Sequence, residues 1–147
     1  MDSTEQSTKL QLAYTICCDD VRLEVGNKLS LMGVFHQIVV QQFPVTLMKF
    51  AVVNQWRGGG RHLSEVRILT PDRQQAVVLA EPSPFEIMQG GVANNISFFF
   101  NVVFPAPGRY HVQTLVDSTL MDEQELTLLH VDSTGVPVAD NTSEAIN

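Results

Sequence analysis

The segment Pro105-Ala106-Pro107-Gly108-Arg109-Tyr110-His111-Val112-Gln113-Thr114 constrains this chain more than any other, because it sets a rigid corner between two runs of period two. Proline fixes φ and glycine reaches φ values that other residues avoid, so Pro105 to Gly108 can turn the chain sharply between strands. Upstream, Ile96, Phe98, Phe100, Val102 and Phe104 share one face of a strand, while Ser97, Phe99, Asn101 and Val103 share the other. Downstream, Tyr110, Val112, Thr114 and Val116 repeat the period, with the Tyr110 ring expected inward. The first set is expected to be the core face of a central strand, packed against Tyr14, Tyr110 and Val112.

The remainder of the chain reads in the same way. Leu10, Leu12, Tyr14 and Ile16 alternate with polar or small neighbours, Cys18-Asp19-Asp20 suggests a turn, and Val21 to Val25 resumes up to the tight reversal Gly26-Asn27. Lys28 to Val40 is one bent strand or two short ones, with Gly33 at a bulge. Leu47 to Trp56 follows the break at Phe43-Pro44. Arg57-Gly58-Gly59-Gly60-Arg61-His62 reads as a flexible loop, and Gln89-Gly90-Gly91 to Asn94-Asn95 as a second loose connection. Between these, Thr70 to Gln75 is a turn joining a hairpin, and Phe85 to Met88 a short edge strand or an irregular cover. Seven to nine short strands and no amphipathic helix predict an all-β, immunoglobulin-like antiparallel β-sandwich. The domain is expected over residues 10–131, after a polar leader at 1–9 and before a flexible tail at 132–147.

With 147 residues, 44% hydrophobic and 17% charged, the chain is long and apolar enough to bury a core without staples. A net charge of −7 with only 9 Lys and Arg argues against a nucleic-acid partner. The polar leader lacks the basic start and apolar segment of an export signal, and no window reaches the ~20 apolar residues that span a bilayer. The adjacent Cys17 and Cys18 point to opposite strand faces and cannot form an ordinary disulfide with each other, which suits a reducing cytoplasm.

No constellation of catalytic residues stands out. Cys17, Cys18, Asp19 and Asp20 with His36, His62, His111 and His130 lack the paired spacing of zinc ligands, so no metal and no cofactor is expected. Calcium on the loop carboxylates Asp19, Asp20, Asp72, Asp117 and Asp122 is weaker than their reading as solvated turn residues. Neither G-x-S-x-G nor a cysteine-protease surround is present, and His111 and His130 suggest a surface cross-strand pair. Arg57, Gly58, Gly59, Gly60 and Arg61 form a possible anion loop, although the Lys-Ser/Thr of a phosphate loop is missing. Trp56, Phe99 and Val103, apolar residues beyond the expected core face, form a possible interaction surface.

Two resemblances add to this. The strands Ile96 to Phe104, Arg109 to Asp117 and Gln124 to Val131, with their Pro-Gly-x-Tyr start, resemble the last three strands of immunoglobulin-like sandwiches. That likeness implies a fold and no activity. The segment from Cys18-Asp19-Asp20-Val21-Arg22-Leu23-Glu24-Val25-Gly26-Asn27 through Lys28-Leu29-Ser30-Leu31-Met32-Gly33-Val34-Phe35 to Phe43-Pro44 resembles the opening of an uncharacterised family of small bacterial proteins. What it implies is a compact cytoplasmic β-domain with no established activity and no catalytic residue to carry over. The expected function is a non-catalytic protein-binding or self-assembly module, with a protein partner or a homo-oligomer and neither nucleic acid nor membrane. The alternative is a small-molecule or ion-binding domain using the loop carboxylates or the glycine-rich loop.

Overall fold

The structure is a computed structural model in which residues 9–138 are described. Eight strands follow one another: β1 (Gln11–Glu24), β2 (Lys28–Phe35), β3 (Gln37–Val40), β4 (Val45–Leu69), β5 (Ala76–Leu79), β6 (Ser83–Phe104), β7 (Gly108–Val116) and β8 (Thr119–His130). They form one sheet of order β2-β1-β4-β7-β8-β3, with β5 and β6 both pairing β4.

That sheet curls over on itself because β4 and β6 each serve two halves. The first part of β4 lies between β1 and the end of β6, in registers that include Val53↔Ile16 and Val53↔Ile96. Its second part lies between β7 on one side and β5 and the start of β6 on the other, as in Arg67↔Gln113, Arg67↔Leu79 and Ser64↔Ser83. The halves stack face to face over Phe50, Val52, Phe99, Val102, Phe104, Ile68, Tyr110, Val112, Leu126 and Leu128. The result is the expected β-sandwich. All pairs are antiparallel except β3 with β8, which is parallel.

Glycine makes the fold-over possible. Gly58, Gly60 and Gly90 have φ of 137°, 97° and 75°, a region that costs an L side chain dearly, and the register slips between Gly58↔Gly91 and Gly60↔Ile87. The segments expected to be flexible loops, Arg57 to His62 and Gln89 to Asn95, are therefore bent parts of two paired strands. Cys18-Asp19-Asp20 is likewise strand, because β1 runs on to Glu24 and keeps pairing β2 past Asp20↔Met32. The bulge expected at Gly33 is not formed, since the β1–β2 register runs unbroken from Cys18↔Val34 to Asp20↔Met32; the glycine instead serves a φ of 67° and leaves room for the Asp19 side chain where a β-carbon would stand.

The expected core face holds only beyond Asn101. This residue, at φ 53°, interrupts the pairing between Leu47↔Val102 and Lys49↔Phe100 and turns the strand over. After it, Val102 and Phe104 point inward as expected. Before it the phase is inverted: Phe99 is buried against Phe50, while Ile96, Phe98 and Phe100 face out and Phe100 is 60% exposed.

Tyr110 closes the corner. Its hydroxyl donates to the Ala106 carbonyl at 2.6 Å and accepts from the Ala106 amide at 3.3 Å, and its ring meets Phe104 edge to face at 5.0 Å. This tyrosine corner is a hallmark of immunoglobulin-like sandwiches. A second tie is buried between the halves: Asn54 donates to the hydroxyls of Thr15 (2.8 Å) and Thr114 (3.2 Å), and Gln124 donates to the Thr15 carbonyl. Of the segment expected to be a tail, residues 132–138 form a turn closed by the Val131↔Pro137 bridge and the Val138 to His130 bond. The leader at 1–8 and the rest of the tail, 139–147, lie outside the described residues.

Two substitutions check the phase inversion. Phe104→Ala should cost about 3 to 5 kcal/mol, as buried aromatics do, while Phe100→Ala should cost less than about 1 kcal/mol. Denaturant unfolding of the two variants measures both values. Tyr110→Phe should lose about 1 to 3 kcal/mol by leaving the Ala106 carbonyl unpaired.

Candidate functional site

The bend in β4 and β6 brings together side chains that the sequence keeps far apart. Phe85 of β6 stacks on the buried Trp56 of β4 at 5.5 Å, and the His62 ring lies against Phe85 as well, also at 5.5 Å. Arg61, His62, Leu63, Pro84, Phe85, Glu86 and Asp117 line an open groove of ≈ 620 Å³ there.

His62 is the chemical centre of the groove. Its Nδ1 lies 2.9 Å from the Asp117 carboxylate and its Nε2 lies 2.9 Å from the Gly59 carbonyl. A carboxylate and a carbonyl can only accept, so both ring nitrogens must donate, and the form that satisfies both is the imidazolium. The hydrogen bond to Asp117 raises the His62 pKa above its ordinary 6.5, against the desolvation that lowers it. The same bond, helped by the Leu63 amide, lowers that of Asp117. Asp117 sits in the β7–β8 turn at φ 50°, and its own amide donates to the Leu63 carbonyl. The pair thus fastens the turn to the bent strand.

A histidine oriented by a carboxylate is half of a nucleophile-activating array. Here Nε2 is occupied by Gly59, and among the described residues no Ser, Thr or Cys lines the groove. The arrangement suits a clasp rather than a general base.

The residues singled out from the sequence disperse. Trp56 and Phe99 are buried, so the expected surface of Trp56, Phe99 and Val103 does not assemble; Val103 alone is exposed, at 48%. Phe99 and Val103 do not share a face, because Asn101 turns the strand between them. Arg57, Gly58, Gly59, Gly60 and Arg61 are part of β4, with Gly58 and Gly60 paired to β6, so they form no free loop, and Arg61 stands 3.6 Å from Glu86. His111 faces Glu125 across the strands and contacts the Pro71 carbonyl, whereas His130 packs on Phe43, so the expected His111–His130 pair is not formed.

The carboxylates are also spread out. Asp20 pairs with Lys49 at 2.9 Å, Asp72 accepts from Thr70 and Gln74, and Asp117 holds His62. Among the described residues no group of three or more His, Cys, Asp or Glu converges on a point. Glu123 is drawn down to about 2 by the two-point contact with Arg73 and a bond from Gln113, and so ties the β5 turn to β7 and β8. Both cysteines are free and buried on opposite faces, with burial pushing the Cys17 thiol up to about 12. Cys18 is fully covered.

A second region is defined by what faces out. Along β6 from Val92 to Phe100 the even positions are exposed, giving a stripe of Val92, Asn94, Ile96, Phe98 and Phe100. Beside it on β4 lie Ala51 and Val53, themselves covered, in a small cluster with Cys18 and the flanking Tyr14, Val21, Leu29 and Leu31. Lys49 reaches over the Phe98 ring, 5.0 Å from its centre. No signal in the sequence separated this face from the core, since the alternation alone assigns it inward.

Fold and corner together define an all-β sandwich of the immunoglobulin-like class. The chain belongs to the Family of unknown function (DUF6941), whose model matches residues 13–129. No curated protein matches it. Among solved structures it is similar to the alkylpurine DNA glycosylase AlkC of Pseudomonas fluorescens, bound to DNA containing an abasic site analog, with TM-score 0.53, 10% identity, and 82% of this chain and 30% of that one covered. A mutant β-glucosidase of Listeria innocua is similar with TM-score 0.50 and 11% identity over 84% of this chain and 16% of that one. An immunoglobulin-like protein of Pseudomonas aeruginosa has TM-score 0.42 and 14% identity over 83% of this chain and 98% of that one. The chain thus spans less than a third of each of the two enzymes, and at these identities the likeness concerns the fold alone. Among the described residues no helix is long and apolar enough to cross a membrane.

The clasp gives stability a signed dependence on pH. Because the His62 pKa is raised on folding, its contribution is complete below 6.5 and is lost as pH rises through the folded value. Because that of Asp117 is lowered, its contribution is complete above 3.8 and is lost as pH falls through its folded value. Stability from the pair is therefore greatest between those limits. Thermal unfolding should show a decline just above pH 6.5 that Asp117→Asn removes, and the His62 ring protons should titrate later in the wild type than in the variant.

Proposed function

We propose that this protein is a non-catalytic binding module of the reducing cytoplasm that offers the end of β6, with its exposed Ile96, Phe98 and Phe100, to a protein surface. The observation that carries the reading is the stripe itself: large apolar side chains exposed side by side on one sheet face, in a chain whose core already holds Phe50, Phe99 and Phe104. Contiguous apolar patches of this kind are typical of interaction sites. The side chains at issue are those the alternation assigned inward, in place of the Trp56 and Phe99 expected to face out. In support, the one histidine–carboxylate pair in the groove is spent on holding the bend. The carboxylates and the glycine-rich segment are likewise engaged in turns and strand pairing, which favours this reading over an ion site.

The test compares the wild type with the Phe98→Ser/Phe100→Ser variant by light scattering, chemical cross-linking and capture on a tagged chain. The wild type is expected in a complex, with itself or with a protein reproducibly lost from the variant, and the variant should keep its circular dichroism and melting temperature. A variant that associates as the wild type does overturns the proposal, as does a wild type found alone in every assay.

A further inference from the structure

The free margin of β6 narrows the partner. Among the described residues the strand pairs β4 and no other, so from Val92 to Phe104 one row of its amides and carbonyls has no strand hydrogen-bonded to it. Edge strands are ordinarily blunted by charge, proline or irregularity, because an open edge recruits further strands. This one is not blunted by charge: between Glu86 and Arg109 the sequence holds no Asp, Glu, Lys or Arg, in a chain of net charge −7. Its irregularities stand only at its limits, Gly90 at φ 75° and Asn101 at φ 53°. Between them Val92 to Phe100 alternates regularly between exposed and half-buried or buried positions, and its centre is Ile96.

Resting on the binding role proposed above, we propose that a second copy of this chain pairs with that edge, antiparallel, about a two-fold axis at Ile96. An isologous pairing sets a segment against itself, so any charge near the axis would meet its own copy. Two chains of −7 repel each other over most of their surfaces, and the uncharged margin is where they can meet without that cost. With the axis at Ile96, Ile96 faces its counterpart, Asn94 faces Phe98 and Val92 faces Phe100. All five lie on the same outer face, so the apolar stripe continues across the axis and the two sheets become one. The axis also keeps the pairing on the β1 side of Asn101, so that only its far end, Phe98 to Phe100, borders the groove shared with Gln75 to Val78.

Charge exchange at the axis tests this with the full chain. Sedimentation velocity over the micromolar range should show two chains for the wild type, and association at least tenfold weaker for Ile96→Lys and for Ile96→Glu, each of which sets like charges face to face. An equimolar mixture of the two variants should recover a species with one chain of each, resolved by native mass spectrometry. In the wild type alone, hydrogen exchange of the amides from Val92 to Phe100 should slow as concentration rises, a measurement that needs no variant. A monomeric wild type overturns the second-copy proposal, and if that monomer still captures a partner lost from Phe98→Ser/Phe100→Ser, the broader binding role stands. Variants that dimerise like the wild type, or concentration-independent exchange along β6, place any self-association elsewhere and overturn the edge pairing.

Discussion

The bend shared by β4 and β6 is the constraint on which the rest of the structure depends. A two-layer fold needs strands that leave one layer and enter the other, and this chain does it with two long partners that turn together rather than with a loop. Their turning requires Gly58, Gly60 and Gly90, whose φ values exclude most side chains, yet glycine alone would leave the corner loose. Trp56, Phe85 and His62 fill it from one side, and Asp117 fastens it to the β7–β8 turn. The core above and below the bend is then the same cluster, because strands from both layers contribute to it.

What was legible in the sequence follows the reach of local rules. The Pro105 to Gly108 corner, the inward Tyr110, the Gly26-Asn27 reversal and the Thr70 to Gln75 turn are set by residues close in sequence, and all stand as read. The all-β class followed from period two. The glycine segments misled because their composition is the same for a mobile loop and for a strand that must bend; only the partner strand, some thirty residues on, tells them apart. The face of Phe98 and Phe100 misled for a related reason. Alternation gives phase relative to a starting point, and one residue at positive φ, Asn101, reset it. The His62–Asp117 pair joins positions 55 residues apart and left no local mark.

The electrostatics follow the same division. Charged groups with close partners mostly serve the frame: Lys49 with Asp20, Arg73 with Glu123, His62 with Asp117. The end of β6 takes no part in this pattern and carries its exposed apolar residues on a neutral backbone margin. A protein with a net charge of −7 that leaves the stretch from Ile87 to Phe104 uncharged has a surface on which contact is selective by the absence of repulsion as much as by attraction.

Cys17 and Cys18 sit in the middle of β1, between Phe35 and Val34 on one flank and Val52 and Ala51 on the other. Only the thiolate reacts, and with both thiols covered and their pKa values raised, chemistry at either sulfur must wait until β1 parts from its neighbours. Since the two point to opposite faces, one keeps time for the inner layer and the other for the outer face beside Ala51 and Val53. The chain therefore carries a native pair of clocks, whose modification rates read separately how often the sandwich opens and how often its outer covering lifts.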